Sequence, residues 1–147
     1  MSDQASEQVV VSAPVDRCFA VASDFESYPD WAPDIKECHI LARDDQGRGS
    51  RVAFRTAAMG RSASYVLEYN YTSAPVELSW RLLEGNIMRV LDGAYRFDSV
   101  ENHTQITYRL SVELVVPIPG YVKRRAEGKI ISTALRELKR RVESADT

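Results

Sequence analysis

Several aromatic side chains with a polar tip fall on the same face of the strands predicted along the middle of the chain. In a strand every second side chain points to the same face, and these residues belong to the inward series of their strands. They are Tyr65, Tyr69, Trp80, Tyr95 and Tyr108. A buried hydroxyl or indole N–H needs a hydrogen-bond partner, and a dry core supplies few. Any single one of these residues could simply pack under a helix. As a group, they favour a wet or ligand-filled cavity.

The other groups that could carry chemistry are sparse. The chain has two histidines, His39 and His103, and two cysteines, Cys18 and Cys38. Nucleophilic catalysis needs a base beside the nucleophile. His103 falls in a predicted turn, and His39 lies on the strand face opposite the apolar Cys38 and Ile40. The cysteines have no metal-ligand spacing and are predicted to be buried free thiols. We therefore predict no catalytic residue, no metal site and no cofactor.

Length and charge restrict the class of protein. The 147 residues, 44% of them hydrophobic and 27% charged, fit one globular domain over residues 1–147 with a core at about 9–142. A net charge of −2 gives no basic field for nucleic acid, so no nucleic-acid partner is expected. No apolar run approaches the about 20 residues of a membrane span. The first eight residues are polar and acidic, unlike a signal peptide, so we expect a cytoplasmic protein.

The apolar periodicity predicts an α+β domain. Residues 9–11 form a short strand, and Ser12 and Pro14 then cap and start a helix that runs to Ser23. Two prolines limit residues 24–33 to a short helix and a loop. Six strands follow at 34–43, 49–57, 63–72, 76–83, 88–98 and 104–116, joined by short turns typical of an antiparallel meander. A long amphipathic helix over 121–145 completes the order β-α-α-β-β-β-β-β-β-α.

The inward face of these strands is predicted to lie under the long helix, because no other large apolar surface is available to bury the helix stripe. On that basis the residues predicted to contact a ligand are Phe54, Tyr65, Leu67, Tyr69, Trp80, Leu91, Tyr95, Phe97, Tyr108 and Leu110 from the sheet, with Ile130 and Ala134 from the helix. Gly93 falls in the same inward series. Its missing side chain either lets the sheet bend or leaves room for a neighbour or a ligand.

Several motifs resemble the START-like (SRPBCC) superfamily, in particular its polyketide cyclase/dehydrase and lipid-transport family, near the coenzyme-Q-binding branch. They are Ser12-Ala13-Pro14-Val15-Asp16, Asp24-Phe25-Glu26-Ser27-Tyr28-Pro29-Asp30-Trp31, Leu78-Ser79-Trp80, Leu91-Asp92-Gly93-Ala94-Tyr95-Arg96-Phe97, Thr104-Gln105-Ile106-Thr107-Tyr108 and Pro117-Ile118-Pro119-Gly120. The resemblance implies a helix-grip fold, in which a curved seven-stranded antiparallel sheet wraps around the long C-terminal helix with an apolar cavity between them.

The resemblance leaves the activity open, because one fold supports many functions. We predict that the protein binds or transports a hydrophobic small molecule, such as a lipid, an isoprenoid or quinone, or a polyketide. One alternative is a polyketide cyclase/dehydratase (aromatase) that uses tyrosine hydroxyls and ordered water to direct enolate chemistry. The other alternative is a protein- or ribosome-interaction module.

Two segments, the loop from Phe25 to Pro33 and the turn from Pro117 to Gly120, are expected to flank the start of the terminal helix in a helix-grip domain and to form the mouth of its cavity. Each combines apolar residues with helix breakers, and the mouth residues are predicted to be Phe25, Tyr28, Trp31, Ile118 and Tyr121. These segments could open by loop motion or could be a static plug that closes the end of the core.

The terminal helix carries an excess of positive charge, with eight basic and four acidic side chains over residues 119–147. A solvated polar face explains this excess. The alternative is transient contact with an anionic membrane surface through Lys123, Arg124 and Arg125, which would suit the loading or unloading of a lipid.

Overall fold

Seven antiparallel strands form one sheet in the order β1-β7-β6-β5-β4-β3-β2. The computed structural model describes residues 4–58 and 61–144. The strands are β1 (Ala5–Val11), β2 (Ile35–Arg43), β3 (Gly49–Ala58), β4 (Arg61–Asn70), β5 (Glu77–Gly85), β6 (Met88–Val100) and β7 (His103–Leu114). From β2 to β7 each strand pairs with the next in sequence, so the predicted meander is confirmed. β1 extends the sheet by pairing with β7.

In the described part of the sequence, three short helical segments precede the β2–β7 meander and one long helix follows it. They are α1 (Val15–Ser23), a 3-10 turn (Phe25–Ser27), α2 (Tyr28–Trp31) and α3 (Gly120–Ser144). The predicted element order is confirmed, but β1 begins at Ala5 rather than Val9. Polar residues precede the valine run, and they still form the ladder because β7 offers paired backbone as far as Leu110. The predicted turn residues Met59 and Gly60 and the predicted helix end Ala145 lie outside the described residues.

The predicted cap of α1 is wrong. Pro14 occupies the N-cap position, and no side chain caps the helix. Ser12 instead donates its backbone N–H to Oε2 of Glu143 at 2.9 Å. The residue that appeared to be a local cap therefore joins the start of α1 to the end of α3, 131 residues further along the chain.

The two halves of α3 pack differently. From Ile131 onwards the apolar residues Ile131, Leu135, Leu138 and Val142 are at most 3% exposed, and α3 packs with β1, β7 and α1. In the first half the apolar Val122 and Ile130 are 40% and 44% exposed. The helix therefore closes a solid core at one end of the sheet and leaves space under its N-terminal half.

The outer face of the sheet is charged, as the alternation predicts. Glu68 on β4 pairs with Arg81 on β5 at 2.7 Å, and Glu77 on β5 pairs with Arg109 on β7 at 3.0 Å. Exposed pairs of this kind contribute little stability each. The opposite, inner face is apolar and buried, and it is the face that the long helix covers.

Candidate functional site

A cavity of about 340 Å³ lies between the inner face of the sheet and the stretch of α3 from Lys123 to Glu137. Its volume falls in the range of small-molecule sites, roughly 300–1,000 Å³. Most of the residues predicted from the sequence line it, namely Phe54, Tyr65, Leu67, Tyr69, Trp80, Leu91, Tyr95, Tyr108, Ile130 and Ala134. Nearly all of its sheet wall is therefore aromatic or aliphatic.

Two of the predicted residues, Phe97 and Leu110, do not line the cavity. They are 1% and 0% exposed, and Phe97 packs edge-on against Phe19 of α1 with ring centroids 5.8 Å apart. Alternation assigns them correctly to the inner face. It does not reveal that this stretch of the sheet is filled by neighbouring side chains.

Trp80 is central to the aromatic wall. Its ring centroid lies 5.7, 5.4 and 5.6 Å from those of Tyr69, Tyr95 and Tyr108. Gly93 is its partner on the neighbouring strand. A Cβ atom at Gly93 would lie 2.7 Å from Cζ2 of Trp80 and 2.6 Å from a backbone carbonyl oxygen. The missing side chain therefore makes room for a neighbour, the indole ring.

Two of the inner tyrosines are fixed by hydrogen bonds to the backbone. Tyr28 donates its hydroxyl proton to the carbonyl oxygen of Ala22. Tyr71 donates to the carbonyl oxygen of Gly49 at 2.7 Å. These bonds hold the 3-10 turn region and the start of β3 against the rest of the domain.

Four further tyrosine hydroxyls around the cavity have no hydrogen-bond partner among the described residues. They belong to Tyr65, Tyr69, Tyr95 and Tyr108. Burial raises the pKa of each phenol well above its ordinary value, because the charged form loses its hydration. All four are therefore neutral hydrogen-bond donors at physiological pH, and they are available to an acceptor oxygen of a bound molecule or to water.

The helix wall of the cavity contains a buried carboxylate that the sequence interpretation missed. Glu127 is 2% exposed, and its Oε2 accepts the backbone N–H of Val112 at 3.3 Å. β1 begins opposite Leu110, so the N–H of Val112 lies beyond the β1 ladder, and Glu127 takes the place of a strand partner. Its spacing of four residues from Ile131 puts Glu127 on the buried stripe, which was the available signal.

The cavity opens near Ile87 and Ile130, which line it and are 39% and 44% exposed. Of the predicted mouth residues, Tyr28 and Ile118 also line it. The motion of this region as a gate stays a prediction.

Three predicted mouth residues, Phe25, Trp31 and Tyr121, do not line the cavity. Phe25 is 1% exposed, because the 3-10 turn directs its ring inward onto Tyr69, with centroids 4.4 Å apart. Trp31 packs edge-on against Tyr28 at 5.0 Å. Tyr121, in the first turn of α3, is 66% exposed.

The remaining reactive groups lie away from the cavity wall. Cys18 and Cys38 are buried free thiols, as predicted, and burial raises the pKa of Cys38 to about 12. His39 is exposed and lies 3.3 Å from Glu37. Over residues 4–58 and 61–144, no three His, Cys, Asp or Glu side chains are grouped to hold a metal ion. No helix in the same ranges has the length and apolar character needed to cross a bilayer.

A long C-terminal helix gripped by a seven-stranded antiparallel sheet over an apolar cavity defines the START-like, or helix-grip, class of proteins. The chain belongs to the polyketide cyclase/dehydrase and lipid transport family, whose model matches residues 2–143. Its place near the coenzyme-Q-binding branch stays a prediction. No curated protein matches the chain in sequence.

Solved structures share this fold over nearly the whole chain. A START superfamily protein from Mycobacterium smegmatis is 27% identical with a TM-score of 0.92, and the match covers 97% of this chain and 98% of that one. A protein from Thermus thermophilus is 21% identical with a TM-score of 0.83, covering 99% and 100%. An aromatase/cyclase from Streptomyces sp. R1128 is 17% identical with a TM-score of 0.83, covering 97% and 94%. The helix-grip prediction is thereby confirmed.

Proposed function

We propose that the protein binds a hydrophobic small molecule in the cavity under α3 and carries or sequesters it without covalent chemistry. The observation that supports this most directly is the apolar cavity of about 340 Å³ with four tyrosine hydroxyls that have no partner among the described residues. A ligand with an apolar body and an acceptor oxygen satisfies both features. Lipids, isoprenoids or quinones, and polyketides meet that description.

Binding is favoured over nucleophilic catalysis because the thiols are poorly suited to attack. Cys18 and Cys38 are buried, and burial raises the pKa of both. A thiolate is the reactive form, and a raised pKa makes it scarce at neutral pH. Neither cysteine belongs to the cavity lining.

A polyketide cyclase/dehydratase is the second candidate. Its support is the same ring of tyrosines, because neutral phenols can donate hydrogen bonds to a substrate carbonyl and stabilise the enolate that forms from it. The family description includes cyclases and dehydrases. In this mechanism the phenols act as donors, since their raised pKa values make them poor bases near pH 7.

Filling the cavity is expected to abolish ligand binding. Ala134 is half-buried in the cavity wall, and Ala134→Trp places an indole ring in the space that a ligand would occupy. A compound present at about 100 times its dissociation constant should raise the melting temperature of the wild-type protein by roughly 5–10 °C. The variant should show almost no rise. Thermal unfolding with a panel of fatty acids, quinones and aromatic polyketides measures both.

Ser132→Trp is the matched control, because Ser132 is exposed on the same helix and its hydroxyl donates to Glu7 across the surface. It should keep the full thermal shift. Failure of every compound to shift the wild-type protein, together with empty protein in native mass spectrometry, contradicts the proposal. Mass spectrometry also separates the two candidates, since a cyclase returns a poly-β-ketone cyclised and dehydrated faster than the uncatalysed reaction.

The same proposal includes transient docking on an anionic membrane through the start of α3. Val116 and Tyr121 are 69% and 66% exposed beside Lys123, Arg124 and Arg125. Each basic residue near an anionic surface adds about 1 kcal/mol, so Arg124→Glu with Arg125→Glu should weaken binding to phosphatidylglycerol vesicles more than about tenfold at low salt. Vesicle co-sedimentation measures this.

Arg140→Glu with Arg141→Glu provides the control for net charge, because it changes the charge by the same amount near the other end of the same helix. It should bind the vesicles nearly as well as the wild-type protein. Equal binding by all three proteins, or no binding by any, removes the membrane part of the proposal and leaves cavity binding intact.

A further inference from the structure

Glu127 presents a carboxylate oxygen that the protein leaves without a partner. Oε2 has one contact, the 3.3 Å hydrogen bond from the N–H of Val112. Oε1 has none among the described residues, although the residue is 2% exposed and lines the cavity. A buried carboxylate loses its hydration and is destabilising unless donors replace the water. The cavity that Glu127 lines is the place from which a donor can reach Oε1.

The neighbouring charges on α3 do not supply it. Lys123 lies one turn earlier and also lines the cavity, but no ion pair within 4.0 Å joins it to Glu127 in the described part of the chain. Glu137, the other acidic residue of this wall, is already paired with Arg136 at 3.3 Å and Arg140 at 3.6 Å. Of the two carboxylates in the helix wall, Glu127 is therefore the one with an oxygen left for a ligand.

We propose that Oε1 of Glu127 accepts a hydrogen bond from a hydroxyl group of the bound molecule, so that the cavity selects hydroxylated apolar compounds. This rests on the proposed function, because it requires a ligand in the cavity. A hydroxyl fits better than an ammonium group, since the charge of Lys123 in the same wall repels a cation. The tyrosine hydroxyls of the sheet wall donate to an acceptor oxygen elsewhere on the same molecule.

A matched pair of probes tests the assignment. Naphthol and methylnaphthalene have nearly the same size and shape, and they differ by a hydroxyl in place of a methyl group. A hydrogen bond to a charged acceptor in a buried site gives roughly 10- to 100-fold in affinity, so the wild-type protein should bind naphthol at least about tenfold more tightly. Glu127→Gln should reduce this preference to below about threefold and leave methylnaphthalene binding nearly unchanged. Fluorescence titration of each probe gives the affinities.

Glu113→Gln is the control, because it removes the same charge close to Val112 at a residue that does not line the cavity. It should keep the preference for naphthol. Loss of the preference in both variants indicates a general charge effect and overturns the proposal.

The wild-type protein alone also decides the matter if Glu127→Gln does not fold. Naphthol becomes a strong acid when excited, so a carboxylate at its hydroxyl should give naphtholate emission from the bound probe. Equal affinity for the two probes, or bound naphthol without that emission, overturns the role of Glu127 while cavity binding stands. If neither probe nor any compound of the thermal panel binds, the proposed function fails and this inference fails with it.

Discussion

Gly93→Ala is expected to destabilise the protein by about 3 kcal/mol, at the upper end of the usual cost of overpacking a core. The added methyl group would lie 2.6 Å from the carbonyl oxygen of Arg109 and 2.7 Å from Cζ2 of Trp80. The carbonyl belongs to the β6–β7 ladder and cannot move without breaking strand pairing. The indole ring is held among Tyr69, Tyr95 and Tyr108. Urea unfolding followed by tryptophan fluorescence measures the loss.

Gly128→Ala gives the opposite sign and serves as the control. A Cβ atom there meets nothing within 4 Å, and Gly128 lies inside α3. Alanine in place of glycine within a helix stabilises by roughly 0.5–1 kcal/mol. Equal unfolding midpoints for the two variants would show that Trp80 and β7 can shift without a loss of stability. That result would contradict the tight contact at Gly93.

The second large effect is a loss of stability at alkaline pH. Tyr28, Tyr69, Tyr95 and Tyr108 are at most 9% exposed, and burial raises the pKa of all four. In the unfolded chain a tyrosine ionises near pH 10. Above that pH the unfolded state binds fewer protons than the folded state, so the free energy of unfolding falls as the pH rises.

The size of this effect follows from the number of groups. Each tyrosine lowers the free energy of unfolding by about 1.4 kcal/mol per pH unit, and four together lower it by about 5.5 kcal/mol per pH unit. A domain with about 5–15 kcal/mol of stability should therefore unfold between about pH 11 and pH 13. Tyrosinate absorbance and circular dichroism should change together, because the buried phenols ionise only when the fold opens.

A pair of tyrosine variants distinguishes this mechanism from general alkaline denaturation. Tyr108→Phe removes a hydroxyl that has no partner among the described residues, so it should raise the alkaline midpoint with little loss at pH 7. Tyr71→Phe removes the hydrogen bond to Gly49 and should cost about 1 kcal/mol at pH 7. Tyrosinate absorbance that rises well before circular dichroism changes would contradict the burial of the four phenols.

Local pattern was enough to predict the architecture. Side chains alternate along a strand because the backbone is pleated, and that rule alone identified Phe54, Leu67, Trp80 and Tyr95 as inner residues. Short turns required neighbouring strands to be antiparallel, and apolar spacing of three and four residues predicted the long helix. These features depend on residues close together in the sequence, so the sequence by itself determined them.

The tertiary structure decided which part of the inner face is filled and which is empty. Phe97 and Leu110 follow the same alternation as Tyr95 and Tyr108, but only the latter two line the cavity. The difference arises from where α3 and α1 cross the sheet, and the contact from Ser12 to Glu143 spans 131 residues. Likewise, β7 continues beyond its last residue paired with β1, Leu110, and Glu127 is buried where it accepts the N–H of Val112. Periodicity gives the direction in which a side chain points, whereas an empty volume depends on how distant segments pack, and no local pattern encodes that distance.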